Sequence, residues 1–322
     1  MTAGVQAMAA GRPDTILPPP TVFAATYAVT AIAWTLAGLL WSSGNRPFAV
    51  SLFALGLSLG PCLTAYATAP RPLKQLQRRV VLLMGGLSVL APALLGAGSM
   101  DLEGFFLLLF AGTAGAALGH TLVTVIAGPL VFGRALCGWG CWRAMVLELL
   151  PARRGPGRRR GAWALLPYLG LATSAGAALG LLALGHRPPA PTGAPTASLL
   201  PVLVACSVYY AASIGLALAL GDQRAFCKYL CPSSAILRFT SRPALLRIAA
   251  RPDACTGCGA CSRVCPMDVD VAALAAAGGR IGPGACVLCQ RCVHACPKDA
   301  LQLTFGAAPP PHAIRPALGG HP

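Results

Sequence analysis

Eight cysteines near the C-terminus repeat a spacing that can hold iron and sulfide. Residues 255–265 read CTGCGACSRVC before Pro266, and residues 286–296 read CVLCQRCVHAC before Pro297. Each run is C-x2-C-x2-C-x3-C-P; every cysteine recurs after 31 residues, as do Pro266/Pro297 and Asp268/Asp299. Three thiolates on a tight loop wrap three corners of a cubane, and the fourth, one helical turn on, reaches toward the other half of the repeat. In runs of this type the fourth cysteine ligates the other cluster. The spacing therefore assigns Cys255, Cys258, Cys261 and Cys296 to one [4Fe–4S] cluster, and Cys286, Cys289, Cys292 and Cys265 to a second. Gly257, Gly259 and Ala260 suit a loop whose N–H groups turn toward sulfur. Paired CxxC also builds structural zinc sites, but zinc takes four ligands and leaves the third cysteine and the C-P ending unexplained, twice.

Two more pairs stand apart from these runs. Cys137-Gly-Trp-Gly-Cys141 and Cys227-Lys-Tyr-Leu-Cys231 lie 90 residues apart, introduced by the similar tripeptides Arg134-Ala-Leu and Arg224-Ala-Phe. On a continuous helix, positions i and i+4 share a face. Two such pairs offer four thiols to one metal centre or cluster; alternatively each is a redox-active dithiol, or receives a soft metal such as Cu(I). Arg134, Arg143, Arg224 and Lys228 are expected to lower the thiol pKa values in every version. Ordinary buried thiols are the plainer alternative, against which the paired repetition argues.

Long apolar stretches position these residues. The chain of 322 residues is 56% hydrophobic and 11% charged, with a mean hydropathy of +0.66, whereas a soluble domain carries about 25% charged residues. A spanning helix needs about 20 mostly apolar residues. Six stretches qualify, near 22–41, 48–69, 80–98, 104–132, 163–185 and 198–221. The fourth is long and contains His120, with an expected tilt, or a break near Gly119. Arg71, Lys74, Arg78 and Arg79 follow the second stretch; Arg134, Arg143, Arg153, Arg154, Arg158, Arg159 and Arg160 follow the fourth; Arg224, Lys228, Arg238, Arg242 and Arg247 follow the sixth. The opposite loops carry Arg46, then Asp101 and Glu103, then Arg187. Six helices with both termini inside put every basic segment on the cytoplasmic side, as the positive-inside rule requires, and a cytoplasmic cysteine-rich tail argues against disulfides.

The expected architecture is thus a mostly α membrane protein. A cytoplasmic segment (1–21) precedes a six-helix transmembrane domain (22–242) with two hairpin repeats, each ending in a C-x3-C pair. A two-[4Fe–4S] ferredoxin-like α+β domain (243–305), closed by strands near 245–248 and 301–305, and a disordered proline-rich tail (306–322) follow. The N-terminus lacks the apolar core of a secretion signal. The net charge of +16 sits in membrane-flanking loops, so nucleic acid is not expected as a partner; lipid is. Trp139, Trp142 and Tyr229 read as interface anchors, Gly115 and Gly119 as helix packing, and Cys62 and Cys206 as small apolar residues. His120, the one histidine within a stretch, reads either as a contact for a quinone headgroup or as packing.

The combination of C-x3-C pairs at helix ends with two ferredoxin runs resembles the NapH/NosR-like membrane polyferredoxins over roughly residues 80–300. The resemblance favours the compact NapH-like branch, because no flavin-binding periplasmic domain of the NosR kind is present. It implies an inner-membrane protein of bacteria that passes electrons between the quinone pool and a partner redox protein or reductase subunit, or that supports maturation of metal-containing reductases and oxidases. On this reading the chain is an electron-transfer subunit rather than a free-standing enzyme. The resemblance makes Cys137, Cys141, Cys227 and Cys231 the family's membrane-edge thiols. The family's proline after each pair is present as Pro232 but replaced by Trp142 at the first, which predicts a different geometry there.

Overall fold

The computed structural model describes residues 20–97, 101–113, 116–151, 161–185, 199–282 and 284–306. Outside the described residues lie the segment up to residue 19, Gly115, the arginines between 152 and 160, Arg187 and the tail from residue 307. Long apolar sequence forms helices α1 (Pro20–Ser42), α2 (Arg46–Thr68) and α3 (Arg71–Leu95), then α8 (Leu166–Ala183) and α9 (Leu199–Leu220), with Pro61 accommodated in α2 and Pro92 in α3. Of these, Arg46–Thr68, Arg71–Leu95, Leu166–Ala183 and the Val202–Leu220 part of α9 are each long and apolar enough to cross a membrane. Ile32, Leu39, Val123, Leu169 and Val208 remain exposed on the helices, a surface that suits lipid rather than water. Small residues let the helices approach: a Cβ on Gly60 would stand 2.4 Å from Thr30 Oγ1, and one on Gly56 2.5 Å from Trp34 Nε1.

The fourth apolar stretch departs from expectation. The expected break is present but begins earlier than Gly119: α4 (Leu102–Ala111) stops at Gly112, whose φ of 66° is a left-handed cap. The chain resumes as α5 (Leu118–Phe132), which bends by 99° at Gly133 into Ala135–Leu147. Asp101, the N-cap of α4, and Glu103, in its first turn, do not stand free as loop charges. Asp101 accepts from Arg143 Nη2 (2.9 Å) and Trp142 Nε1 (3.1 Å). Glu103 accepts from Ser174 and Tyr209, near the middles of α8 and α9. Carboxylates within an apolar domain persist only when paired, and these are. The second hairpin also differs from expectation, since α8 packs on α4 while α8 and α9 scarcely touch.

What does repeat, at the offset of 90 residues, is a corner. Helices α6 (Ala135–Trp139) and α7 (Trp142–Leu147) correspond to α10 (Ala225–Tyr229) and α11 (Pro232–Thr240). Arg134 and Arg224 are the N-caps of the first helix in each pair, and Cys141 and Cys231 the extended N-caps of the second (ψ 121° and 116°). Each corner folds back on the first helix of its own repeat, α6 and α7 on α3, α10 and α11 on α8.

The C-terminal module is closed by β1 (Leu246–Ala250) and β2 (Leu301–Phe305), paired antiparallel with Ile248 opposite Leu303. Its core contains Ile248, Val271, Ile281, Leu288 and Leu301 together with Cys261 and Cys292. The module sits on the helical domain through contacts spread over the basic segments: Arg71 with Asp299 (3.2 Å), Arg291 with Glu148 (2.7 Å), Lys228 with Asp268 (2.6 Å), and Arg134 with the Gly284 carbonyl (3.1 Å). The three basic segments therefore share one end of the helical domain.

Candidate iron–sulfur cavities and the thiols beneath them

Two cavities enclose the eight cysteines of the repeat. One is lined by Cys255, Cys258, Cys261 and Cys296; the other by Cys265, Cys286, Cys289 and Cys292. Each quartet takes three cysteines from one run and the fourth from the other. All fourteen cysteines are free thiols. Among the described residues no three His, Cys, Asp or Glu side chains converge tightly enough to hold a single metal ion. The quartets ring a space rather than a point, which suits a cubane. Backbone N–H groups of Leu288 and Ala300 donate to the sulfurs of Cys286 (3.4 Å) and Cys296 (3.3 Å), the kind of contact that stabilises a thiolate ligand.

The two loops share one backbone. Short helices Ala260–Arg263 (α12) and Arg291–Ala295 (α13) lie within each run, and positive φ recurs at the 31-residue offset: Gly257 (68°) and Leu288 (54°), Gly259 (70°) and Gln290 (57°), Asp268 (50°) and Asp299 (49°). The sequence pointed to glycine for this shape; the second loop achieves it without glycine. Left-handed conformation costs a side chain about 1–2 kcal/mol per residue, so the surroundings must hold Leu288. They do: Leu288 is buried, and its carbonyl accepts from Trp139 Nε1 at 2.9 Å.

The loops differ in environment. Cys258 is exposed, whereas Cys289 and Cys292 are buried. Burial pushes the Cys286 thiol up to about 12, while Cys258, whose sulfur accepts from the Ala260 N–H, is lowered. Beneath the inner cavity, Cys265 and Cys289 share a core with Cys137, Cys227, Cys231, Phe226 and Met267. Cys141 belongs to the next core, with Trp142, Cys206, Tyr209 and Tyr210.

The membrane-edge pairs are corners rather than helix faces. A turn intervenes between Cys137 and Cys141, and between Cys227 and Cys231, so neither pair lies on one continuous helix. Proline enforces the break at the second corner, because the residue before it avoids the helical region; Gly140, with φ −153°, makes it at the first. Trp142 in place of proline leaves that geometry unchanged. Gly138 has its own reason: a Cβ there would stand 2.2 Å from the Val287 carbonyl, so only glycine admits the inner cysteine loop.

The expected anchors and cations also have other tasks. Trp142 and Tyr229 are buried, and Tyr229 packs edge-on against Trp163. Arg224 approaches Cys227 Sγ at 3.8 Å. Lys228 is held by Asp222 and Asp268, and Arg134 by Ser234 and Gly284. Burial raises the Cys231 thiol more than Arg143 lowers it, so the expected drop in thiol pKa is not found there.

One residue that sequence reasoning passed over ties these parts together. Glu148, 1% exposed, accepts from Arg78 (2.6 Å), Arg224 (2.5 Å) and Arg291 (2.7 Å), and Arg78 and Arg224 are fully buried. The same arginines donate to the carbonyls of Gly138 (2.8 Å) and Cys137 (3.0 Å). Burial alone would raise the Glu148 carboxyl, but the three guanidiniums outweigh it and hold it at about 2. A visible signal existed: Glu148 is one of only nine acidic residues in the chain, directly after a cysteine corner.

Residues 247–302 match the family model described as a 4Fe-4S dicluster domain. That part of the chain is an iron–sulfur ferredoxin domain carrying at least one [4Fe–4S] cluster, joined to several long apolar helices of the kind found in membrane proteins. Neither the curated proteins nor the solved structures contain a match to the chain.

Proposed function

We propose that the chain is a membrane-bound iron–sulfur electron-transfer protein of the NapH-like kind, relaying electrons between the quinone pool and a partner redox protein through two [4Fe–4S] clusters. The observation that carries this reading is the exchange of fourth cysteines: Cys296 lines the first quartet's cavity and Cys265 the second's. Cys255, Cys258, Cys261 and Cys296 hold the outer cluster; Cys265, Cys286, Cys289 and Cys292 hold the inner one. Such clusters supply one-electron chemistry over about −700 to +450 mV.

The chain's own residues hold the inner centre apart from water. Trp139, Arg134 and Arg291 clamp the inner loop on the helical domain, and Cys258 leaves the outer centre open to a partner. The helical domain crosses a bacterial inner membrane six times, the fourth crossing being the broken pair α4 and α5, with both termini cytoplasmic. The basic segments gathered at the ferredoxin end support this orientation.

A second reading is favoured by the packing of Cys137, Cys227 and Cys231 on Cys265 and Cys289. There the clusters keep the corner thiols reduced, or serve a further metal centre on them, during maturation of a partner enzyme. Anaerobically purified protein mixed with a menaquinol analogue tests the first reading, which requires the visible cluster absorption to bleach; an unchanged spectrum removes it. Serine at all four corner cysteines separates the two. Bleaching that survives, with the partner enzyme lacking its metal, favours the second.

A further inference from the structure

At the 31-residue offset Arg263 corresponds to His294, and Met267 to Lys298. Because the fourth cysteines are exchanged, His294 and Met267 flank the inner quartet, and Arg263 and Lys298 the outer one. The helical domain covers the inner pair. His294 Nε2 is bonded to the Tyr66 hydroxyl at 2.9 Å, and Met267, 1% exposed, packs in one core with Leu147, Phe226 and Cys227. The outer pair is open. Arg263 and Lys298 are exposed, as are Thr256, Gly257 and Cys258, whereas the counterparts Val287, Leu288 and Cys289 are buried. A surface that one half of the repeat seals against a neighbour thus stands free in the other half.

Charge separates the two faces as well. Residues 247–302 hold six cations and four acids. Arg247, Arg251, Arg280 and Arg291 donate to Gly306, Asp299, Arg242 and Glu148, and none of these four arginines is exposed. The two exposed cations both stand at the outer quartet: Arg263 Nη1 donates to the Cys258 carbonyl at 2.9 Å, and Lys298 lines the cavity. Among the acids, Asp268 pairs with Lys228, Asp299 with Arg71, and Asp270 caps the short helix Val271–Ala276. Asp253 alone is left against the two cations. A solvated surface accounts for one free lysine. It does not account for both exposed cations of the module standing beside the one exposed cysteine of the chain. We propose that this face, residues 256–259 with Arg263 and Lys298, docks a one-electron redox protein through an acidic patch on that partner. The proposal rests on the relay reading above and adds the sign of the partner's surface. Charges at the rim of such a contact act mainly on the rate of encounter and on its salt dependence.

The test uses the full chain in detergent, its clusters reduced anaerobically, mixed in stopped flow with an acidic plastocyanin or a basic cytochrome c. Each takes one electron from a [4Fe–4S]+ centre, which becomes [4Fe–4S]2+ as Cu(II) goes to Cu(I) or haem Fe(III) to Fe(II). Plastocyanin is expected to react faster of the two and to slow as salt rises, with cytochrome c showing the opposite trend. Lys298→Glu is expected to slow plastocyanin by at least about fivefold and to flatten its salt dependence, charge steering being worth about 10–10³ in rate. Lys298→Arg is expected to keep the parent rate. Arg242→Glu makes the same change of charge at an exposed residue that lines neither quartet, and is expected to alter the rate by less than about twofold. Iron content and the reduced spectrum check that every variant holds its clusters. Equal slowing in Lys298→Glu and Arg242→Glu, or a plastocyanin rate indifferent to salt, overturns the docking face and leaves the relay standing. Reduced clusters that pass electrons to neither protein overturn the relay, and the face with it.

Discussion

The two cysteine loops have the same ligand spacing and nearly the same backbone, yet they meet different surroundings. The outer loop, 255–265, is glycine-rich and open at Cys258. The inner loop, 286–296, puts Leu288 and Gln290 where the outer has glycine, and is held by Trp139, Arg134 and Glu148 of the helical domain. A loop that supplies its own flexibility can face a changing partner. A loop that borrows its shape from a neighbour is fixed to that neighbour. The comparison teaches that the inner cavity is built against the helical domain, whereas the outer one opens to the surface at Cys258.

The largest expected effect breaks the inner side. Cys289→Ser removes a ligand from the buried quartet, so iron content is expected to fall to half or below and quinol-driven bleaching to cease. Cys258→Ser on the outer quartet also halves the iron, but bleaching of the remaining centre persists; paired iron and spectral measurements distinguish them. Next comes Glu148→Ala, which leaves Arg78 and Arg224 buried without their carboxylate. Losing one partner of such a network costs about 3–5 kcal/mol, read as early release of the ferredoxin module in limited proteolysis. The same carboxyl predicts an acid limb. Its folded value is about 2 against an ordinary 4.5, so its contribution is whole above about 4.5 and is lost as pH falls toward 2.

Smaller effects sharpen the contrast. Gly138→Ala forces a methyl against the Val287 carbonyl, and overpacking of this kind costs about 1–3 kcal/mol. Faster amide hydrogen exchange in 286–290, with 255–259 unaffected, is the expected reading. Smallest is an exchange of loop chemistry: Gln290→Gly is expected to stabilise by about 1 kcal/mol by removing left-handed strain, and Gly259→Ala to destabilise by a similar amount. Equal responses at both positions in thermal melts would erase the distinction.

The cysteine runs were legible because ligand chemistry is local: spacing, terminal proline and offset announce the loops, and short apolar pieces announce the strands, the first of which runs on to Ala250. The corners were legible as a pair but not in shape, since the i, i+4 argument assumes an unbroken helix, whereas Gly140 and Pro232 end it. Asp101 and Glu103 looked like a loop because scanning for apolar runs treats a charge as an exit from the membrane, and their partners Arg143 and Tyr209 lie far along the chain. The Glu148 network was invisible for the same reason, its three arginines standing 70, 76 and 143 residues away. Contacts made by folding across such separations leave no local pattern.

The burial of Cys289 and Cys292 behind Gly138 and Trp139 also sets an order of assembly. Once the ferredoxin module has settled on the helices, no scaffold protein can reach those sulfurs. On the two-cluster reading proposed above, iron and sulfide for the inner pocket have to be delivered while the module still hangs free, and docking then seals them in.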